Sequence, residues 1–479
     1  MNYRMIARTV GYVLLAEAML LLLPVAVAVY MHEAVLPFVI TQAATAVPGL
    51  LLSLIPVRSR VLYARDGFLI VSLSWILVSV LGALPFVIGG SIPSYVDALF
   101  ETVSGFTTTG SSILAEVESL PRSILFWRSF THWIGGMGVL VFIMAILPLA
   151  NERSMHVMRA ECPGPEVGKI VPRARNAALY LYGVYFALTV AEMIALRCGG
   201  MPWFDCVVNA FGTAGTGGFS ILNGGIGAYN SLYAEIVITV FMLLFGINFN
   251  VYFFLLARTF KPIFKMEELR VYLITAVSAM LLIGWNILPI VGSIGSSVRY
   301  STFQVAAMMT STGFSTADFN AWPTFSKCIM FLLMLMGACG GSTGGGMKVS
   351  RIIILVKKTR ADLMRLLHPR SVRVVRLDGR RLDDGTVNAV ALYFIVYLLI
   401  MMVSTLLLSL SGCDLDTALT ASVTTLSNIG PGFSAIGPTA NFAFFPVPCK
   451  LLLSLLMLMG RLEIFPLLLT LSPSMYRRR

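Results

Sequence analysis

The chain has 479 residues, of which 57% are hydrophobic and only 12% charged, with a net charge of +12. Soluble domains carry about 45–50% apolar and about 25% charged residues, so a chain with this balance cannot cover its cores with polar surface, and a water-soluble fold is excluded. The basic residues cluster at 58–65, 153–175, 258–270, 348–381 and 477–479, which reads as a membrane-topology signal and leaves nucleic acid without support as a partner.

In chain order, two apolar segments come first, at about 9–30 and 34–56. Arg4 and Arg8 before the first run would also suit a secretory leader. No small-residue cleavage site follows and a second apolar stretch comes at once, so a retained helical hairpin is expected. From residue 67 the pattern becomes long, short, long. The segments are 67–90, 97–108 and 124–148; 176–198, 205–216 and 231–257; 271–292, 301–311 and 325–357; and 388–411, 416–428 and 447–472. Each long segment has the roughly 20 apolar residues that cross about 30 Å of hydrocarbon; the short ones do not. Ten crossings place both termini and the basic linkers 150–175 and 358–385 on the cytoplasmic side. The expected architecture is an all-α polytopic membrane protein. It divides into a hairpin at 1–60 and four repeats at 61–150, 151–262, 263–360 and 361–479.

The short segments end alike. Ser104-Gly-Phe-Thr-Thr-Thr-Gly110-Ser, Gly215-Thr-Gly-Gly218-Phe-Ser, Thr310-Ser-Thr-Gly313-Phe-Ser and Ser427-Asn-Ile-Gly430-Pro-Gly-Phe-Ser434 match one another. Gly110 lies 13 residues after Asp97, Gly218 13 after Asp205, and Gly430 14 after Asp416. A single copy would be an ordinary Gly/Ser turn; four copies at matched offsets mark an internal repeat. Asp97, Asp205 and Asp416 read as helix N-caps, with cation attraction at the outer mouth as a further role.

Irregular backbone at membrane depth is tolerated only where protein buries it or a water-filled cavity meets it. Four re-entrant loops therefore belong around one axis. There the carbonyl ends of four half-helices, each carrying about half a negative charge, favour a dehydrated cation. Glycine admits φ > 0, which lets successive carbonyls turn inward. Rings of carbonyl oxygen replacing a hydration shell are the chemistry of potassium filters.

The segment 325–357 would run roughly 50 Å as one helix and is broken by Gly337-Ala-Cys-Gly-Gly-Ser-Thr-Gly-Gly-Gly346. Glycine costs a helix about 1 kcal/mol per residue, so the run marks either close helix packing through small residues or an intramembrane loop. It is no phosphate loop, because Met347 precedes Lys348 and no Ser or Thr follows the lysine. Arg461 and Glu463 lie within the last apolar segment, two positions apart and so not paired along a helix. Each either has a partner on a neighbouring helix or, for Arg461, faces the cavity and slows cations. Arg128 reads as a snorkelling or loop-bracing residue.

Thr102-Val-Ser-Gly-Phe-Thr-Thr-Thr-Gly110, Phe126-Trp-Arg-Ser-Phe-Thr-His-Trp-Ile-Gly-Gly-Met-Gly138, Gly340-Gly-Ser-Thr-Gly-Gly-Gly-Met-Lys348, Asn428-Ile-Gly-Pro-Gly432 and Gly460-Arg-Leu-Glu-Ile464 span all four repeats. At these residues the chain resembles the TrkH/KtrB/HKT superfamily of potassium transporters, its TrkH branch in particular, which shares the N-terminal hairpin. The resemblance implies a selectivity filter for K⁺ as the transported ion, held by backbone carbonyls and by no organic cofactor. The filter would comprise Thr108, Thr109 and Gly110; Gly215, Thr216, Gly217 and Gly218; Ser311, Thr312 and Gly313; and Asn428, Ile429 and Gly430. Gly218, or its neighbour Gly217, would complete the four-glycine ring. Serine in place of the first glycine accompanies sodium transport in this superfamily, so four glycines favour potassium. The resemblance further implies a gate formed by Gly340, Gly341, Ser342, Thr343, Gly344, Gly345 and Gly346 with Arg461. It also implies a homodimer among membrane lipids of the bacterial cytoplasmic (inner) membrane, and a cytoplasmic TrkA-like nucleotide-binding regulatory ring as partner.

Obligatory symport of K⁺ with H⁺ or Na⁺ would call on membrane-embedded carboxylates, of which Glu17, Glu192, Glu235 and Glu463 are the few on offer. No catalytic array such as GxSxG or HExxH occurs, and His32, His132, His156 and His368 are dispersed, so no enzyme is expected. Seven scattered cysteines without CxxC spacing imply neither a disulfide framework nor a zinc site.

Overall fold

The computed structural model describes residues 1–57, 62–138, 174–369 and 373–476. The sequence expectations for 58–61, 139–173, 370–372 and 477–479, namely the basic clusters there and the far end of the 124–148 segment, lie outside the described residues. The protein is an all-α polytopic membrane protein.

Helices α1 (Tyr3–Leu20) and α2 (Leu22–Tyr30) form one long apolar span, and α3 (Leu36–Ser53) returns beside it. Gly11 and Gly49 set the closeness of that return. A Cβ at Gly11 would stand 2.6 Å from Ser53 N and 2.8 Å from Gly49 O. Small residues at a crossing let backbones touch, which is how helices gain contact energy in lipid. Between α2 and α3, Glu33 reaches across to the next unit.

The first repeat comprises α4 (Ala64–Gly82) with α5 (Leu84–Ile88), α6 (Tyr95–Phe106) and α7 (Arg122–Gly136). The second comprises α8 (Ala174–Cys198), α9 (Trp203–Gly215), α10 (Leu232–Phe245) and α11 (Asn250–Leu256), followed by the connector α12 (Lys261–Lys265). The third has α13 (Glu267–Val291), α14 (Ile294–Met309), α15 (Thr324–Met336) and α16 (Val349–Leu367); the fourth has α17 (Asp384–Ser409), α18 (Leu415–Leu426), α19 (Val447–Arg461) and α20 (Phe465–Leu471). The apolar lengths of the N-terminal hairpin and of each repeat's first helix are sufficient to cross a bilayer, six spans among the described residues. The short helices α6, α9, α14 and α18 are enclosed by the long ones and almost wholly buried over their second halves.

The last long segments of the second and fourth repeats depart from the simple expectation. The segment 231–257 is two helices bent by 96° around Gly246–Phe249, and 447–472 is interrupted at Glu463 and Ile464, both with φ > 0. The interruptions supply one another's missing hydrogen bonds. Cys339 N donates to Gly246 O at 3.1 Å and Phe249 N to Gly341 O at 3.0 Å, joining the second repeat's break to the third's. Arg461 donates to Thr343 O at 3.1 Å and to Gly135 O and Gly136 O at 2.5 and 2.7 Å, joining the fourth repeat's break to the third's and to the end of α7.

Two local expectations are corrected. Asp97, Asp205 and Asp416 sit in the first turns of their helices, not at the caps. The capping side chains are Ser94 for α6 and Asp414 for α18, the latter accepting from Thr417 N at 3.2 Å and its hydroxyl at 2.5 Å. The Thr417 bonds hold the Asp414 carboxyl below its usual range. α14 begins at Ile294, well before Ser301, which is a mid-helix residue bonding Val298 O. In the basic linker, Arg376–Leu377 and Arg380–Arg381 form a two-stranded antiparallel hairpin whose Asp378 accepts from Glu267 N at the start of α13.

The hairpin of α1–α3 does more than sit in lipid. Glu33 accepts from Arg122 N (2.7 Å), Ser123 N (2.8 Å) and Ser123 Oγ (2.5 Å), placing a carboxylate on the N-terminus of α7. Replacing Glu33 with Ala should cost about 1–2 kcal/mol of stability, the usual worth of a cap. Thermal unfolding of the purified protein in detergent checks this, and an unchanged midpoint would show that the cap contributes nothing.

Candidate functional site: a ring of four glycine segments

The four matching segments meet. A Cβ at Gly110 would lie 1.9 Å from Gly217 O, one at Gly218 2.0 Å from Thr312 O, one at Gly313 2.0 Å from Ile429 O, and one at Gly430 2.8 Å from Thr109 O. The carbonyl before each glycine thus rests against the glycine of the preceding repeat, and the contacts close in the cyclic order one, two, three, four. No side chain fits at any of the four positions.

The backbone repeats as closely as the contacts. Gly110, Gly218, Gly313 and Gly430 have φ of +81°, +73°, +76° and +101°. Two residues earlier, Thr108, Thr216, Ser311 and Asn428 are all left-handed, with φ between +54° and +56°. Left-handed conformation costs a non-glycine residue on the order of 1–3 kcal/mol, so the surroundings must over-determine it four times. The same register selects Gly218 rather than Gly217 as the matching glycine. Gly217 contributes its carbonyl to the ring, while its α-carbon faces the His132 ring. Gly215 is not brought into the ring at all; it ends α9 and packs on His132 O.

Side chains behind the ring hold this conformation. Thr107 Oγ1 and Thr109 Oγ1 share a hydrogen bond of 2.8 Å, and Thr310 and Thr312 repeat it at 2.8 Å. Asn428 Nδ2 donates to Thr109 Oγ1 and to Met457 O, both at 2.9 Å, tying the fourth segment to the first and to α19. His132 joins the first repeat to the second. Phe219 N donates to Nε2 at 3.3 Å, which leaves Nδ1 as the protonated nitrogen donating to Gly105 O at 2.7 Å. Arg128 lies buried over Phe219, 3.6 Å from the ring centroid, and donates to Ser220 O at 2.9 Å. Its partner is Glu101, at 2.6 Å, which also accepts from Ser112 Oγ and Ile113 N, both at 3.0 Å. Arg128 therefore braces the stretches that leave the ring, and the snorkelling reading falls.

A cavity of about 180 Å³ opens beyond the glycines, lined by Gly110, Gly218, Gly313 and Gly430 together with the residues that follow them. At the other end of the segments lies the glycine-rich stretch between α15 and α16. Gly345 N donates to Ser311 Oγ at 2.5 Å, and a Cβ at Gly345 would stand 2.0 Å from Ser427 O. Gly344 O accepts from the buried Lys348 ammonium, Gly340 N donates to Glu268 at 2.6 Å, and Ser342 Oγ donates to Cys339 O at 2.6 Å. Thr343 Oγ1 reaches Phe245 O at 3.3 Å, and Gly346 packs on Gly337. Arg461 thus bonds the loop directly. Glu463 pairs with Arg351 of α16 at 2.5 Å, so the partner-on-a-neighbour reading holds for it.

Glu268, Asn248 and Glu101 carry much of this network and did not stand out in the sequence. Glu268 is buried, accepting from Gly340 N, from Ser350 N at 3.1 Å and from Asn248 Nδ2 at 3.4 Å. In the sequence it is one of two adjacent glutamates opening a helix, a pattern fully explained by the helix dipole. Glu101 left one signal, its position four residues after Asp97 on the same helix face.

The arrangement presents backbone oxygens at the carbonyl ends of four buried helices, an environment suited to an unhydrated cation. An Arg128→Met substitution strands the Glu101 carboxylate in the interior and should cost about 3–5 kcal/mol, much of it recovered in the Glu101→Gln/Arg128→Met double variant. Thermal unfolding of the three proteins decides, and equal losses for the single and double variants would show that the pair is not the brace.

Comparison with known proteins agrees with this architecture. The TrkH family, described as cation transport proteins, matches residues 36–477. Over the full length of both chains, the sequence is 37% identical to the Trk system potassium uptake protein TrkH of Salmonella typhimurium. It is 34% identical to the Trk system potassium uptake protein TrkG of Escherichia coli, covering 87% of this chain and 86% of that one. Among solved structures, the crystal structure of the potassium transporter TrkH from Vibrio parahaemolyticus superposes with a TM-score of 0.90 at 34% identity, covering both chains completely.

Proposed function

The chain belongs to the TrkH family of cation transport proteins, and on that premise we propose that it takes up potassium across the bacterial inner membrane through a gated central pore. The observation that carries the reading is the closed cycle of Gly110, Gly218, Gly313 and Gly430 against one another's preceding carbonyls. In this reading the carbonyls of Thr108, Thr109, Thr216, Gly217, Ser311, Thr312, Asn428 and Ile429 replace the hydration shell of K⁺. Carbonyl dipoles require no proton transfer and no bound organic group. The function is transport, as the names of the relatives have it.

The loop from Gly340 to Gly346 is the gate in this proposal. It abuts the segments at Ser311 and Ser427, and Arg461 pins it to the end of α7. Losing the guanidinium frees three carbonyls at once and removes a positive charge from the ion's path. The pore's regulation is assigned to a cytoplasmic nucleotide-binding ring docking on a homodimer, with both termini on that side. The basic hairpin at Arg376–Arg381 and the basic face of α16 agree with that orientation.

Coupled symport with H⁺ or Na⁺ is the weaker reading. Glu235 is held by Arg299 through two bonds of 2.6 Å and Glu463 by Arg351, while neither Glu17 nor Glu192 lines the cavity over the glycines.

Three measurements test the proposal. In a bacterial strain lacking its own potassium uptake, this chain should restore growth at low K⁺, and Gly110→Ser should abolish the rescue or admit Na⁺. Full K⁺-selective rescue by the variant would remove the filter role. Arg461→Ala should raise K⁺ flux at equal expression, and equal or lower flux would count against the gate. Single-channel current steps in a planar bilayer are expected, and their absence with proton-coupled uptake would favour symport.

A further inference from the structure

Helix α17 turns Leu392, Ile395, Leu399 and Met402 outward and buries Tyr393, Tyr397 and Ser404 on its other side. Tyr397 is 1% exposed, and its hydroxyl lies 2.7 Å from Ser427 Oγ, itself wholly buried where α18 gives way to the fourth glycine segment. Among the described residues neither hydroxyl has another hydrogen-bond partner, so each satisfies the other. Ser427 stands three residues before Gly430, the place that Thr107 holds before Gly110 and Thr310 before Gly313. Those two threonines clasp the hydroxyl of the residue just before the glycine, Thr109 or Thr312. In the fourth segment that residue is Ile429, which has no hydroxyl to offer. Tyr397 reaches in from another helix and fills the missing role. Asn428, between Ser427 and Ile429, is left-handed and donates to Thr109 Oγ1 and Met457 O. A strained residue is therefore tied on one side to the first repeat and α19, and on the other, through Ser427, to α17.

We propose that Tyr397 is a specificity-determining residue for K⁺ over Na⁺, one that positions the carbonyls of Asn428 and Ile429 through the Ser427 hydroxyl. The inference rests on the reading of the glycine ring as the potassium filter. Whether such a filter prefers K⁺ by fit or by the field of its carbonyls, the preference depends on where those oxygens stand and how far they can move. A site of this kind keeps its geometry only if the groups behind it are themselves locked by hydrogen bonds. Without the phenol hydroxyl, Ser427 loses its tether to α17, and the fourth segment is free to draw in around a smaller ion. Na⁺ then gains on K⁺.

The test reads the ratio of K⁺ to Na⁺ uptake by proteoliposomes holding the full-length protein. A ratio does not depend on how much protein inserts, so a loss of stability alone leaves it unmoved. Tyr397→Phe keeps the ring and deletes only the hydroxyl; the ratio should fall roughly 2–10-fold, the range to which the net worth of one hydrogen bond converts. Ser427→Ala removes the other half of the same bond and should give the same fall, with no further fall in the double variant. Ile429→Thr in the Tyr397→Phe background supplies a hydroxyl where Thr109 and Thr312 carry theirs, and should restore most of the ratio. An unchanged ratio in Tyr397→Phe overturns the assignment. Falls that add in the double variant, or a fall that Ile429→Thr leaves untouched, overturn the route through Ser427. Wild-type protein that takes up Na⁺ as readily as K⁺ removes the filter reading itself, which keeps the two failures apart.

Discussion

A polar backbone group left without a partner in hydrocarbon costs several kcal/mol, and that constraint organises this protein. Every repeat contains non-helical backbone at the depth where helices should run unbroken, and each such stretch is completed by another. The break after α10 donates to and accepts from the loop after α15. The break after α19 contributes Arg461, whose guanidinium carries enough donors to serve three carbonyls on two other repeats. None of the interruptions could exist alone. They form one interlocked layer beneath the glycine ring, so a change at one is felt at the others.

The ring itself is a strained object held in place from outside. Four non-glycine residues adopt left-handed backbone, two of them β-branched threonines, which rarely do so. Their stability comes from the second layer: hydroxyl pairs, the Asn428 amide, the His132 ring and the buried Arg128–Glu101 pair. That layer is polar yet buried, and in such a setting each missing partner is expensive. Rigid, mutually satisfied polar groups therefore stand where an oily core would leave the carbonyls free to move.

How much of this could be read from the sequence depends on whether the signal was periodic. The recurrence of Gly110, Gly218, Gly313 and Gly430 behind short apolar segments was legible because the chain carries the pattern four times. The glycine run at 337–346 was equally visible, since nothing in an ordinary span explains it. The bend at Gly246–Phe249 was not, because its flanks are apolar and one glycine and one asparagine are too little to mark a break. The caps were misplaced for a similar reason: a first-turn aspartate and a capping serine are both favoured at helix starts, and only the fold tells Asp97 from Ser94. Long-range partners such as Glu33 with α7 or Glu268 with Gly340 leave no local trace.

The hydroxyl pairs Thr107–Thr109 and Thr310–Thr312 occur in the first and third repeats, which stand opposite each other in the cyclic order. The second repeat has Gly215 and Gly217 at the corresponding places, and the fourth has Ser427 and Ile429. Chemically, then, the ring is two-fold rather than four-fold. One diagonal is clasped by hydroxyls within its own segments, while the other leans on side chains from neighbouring helices, the His132 ring at the second segment and the Tyr397 hydroxyl on Ser427 at the fourth.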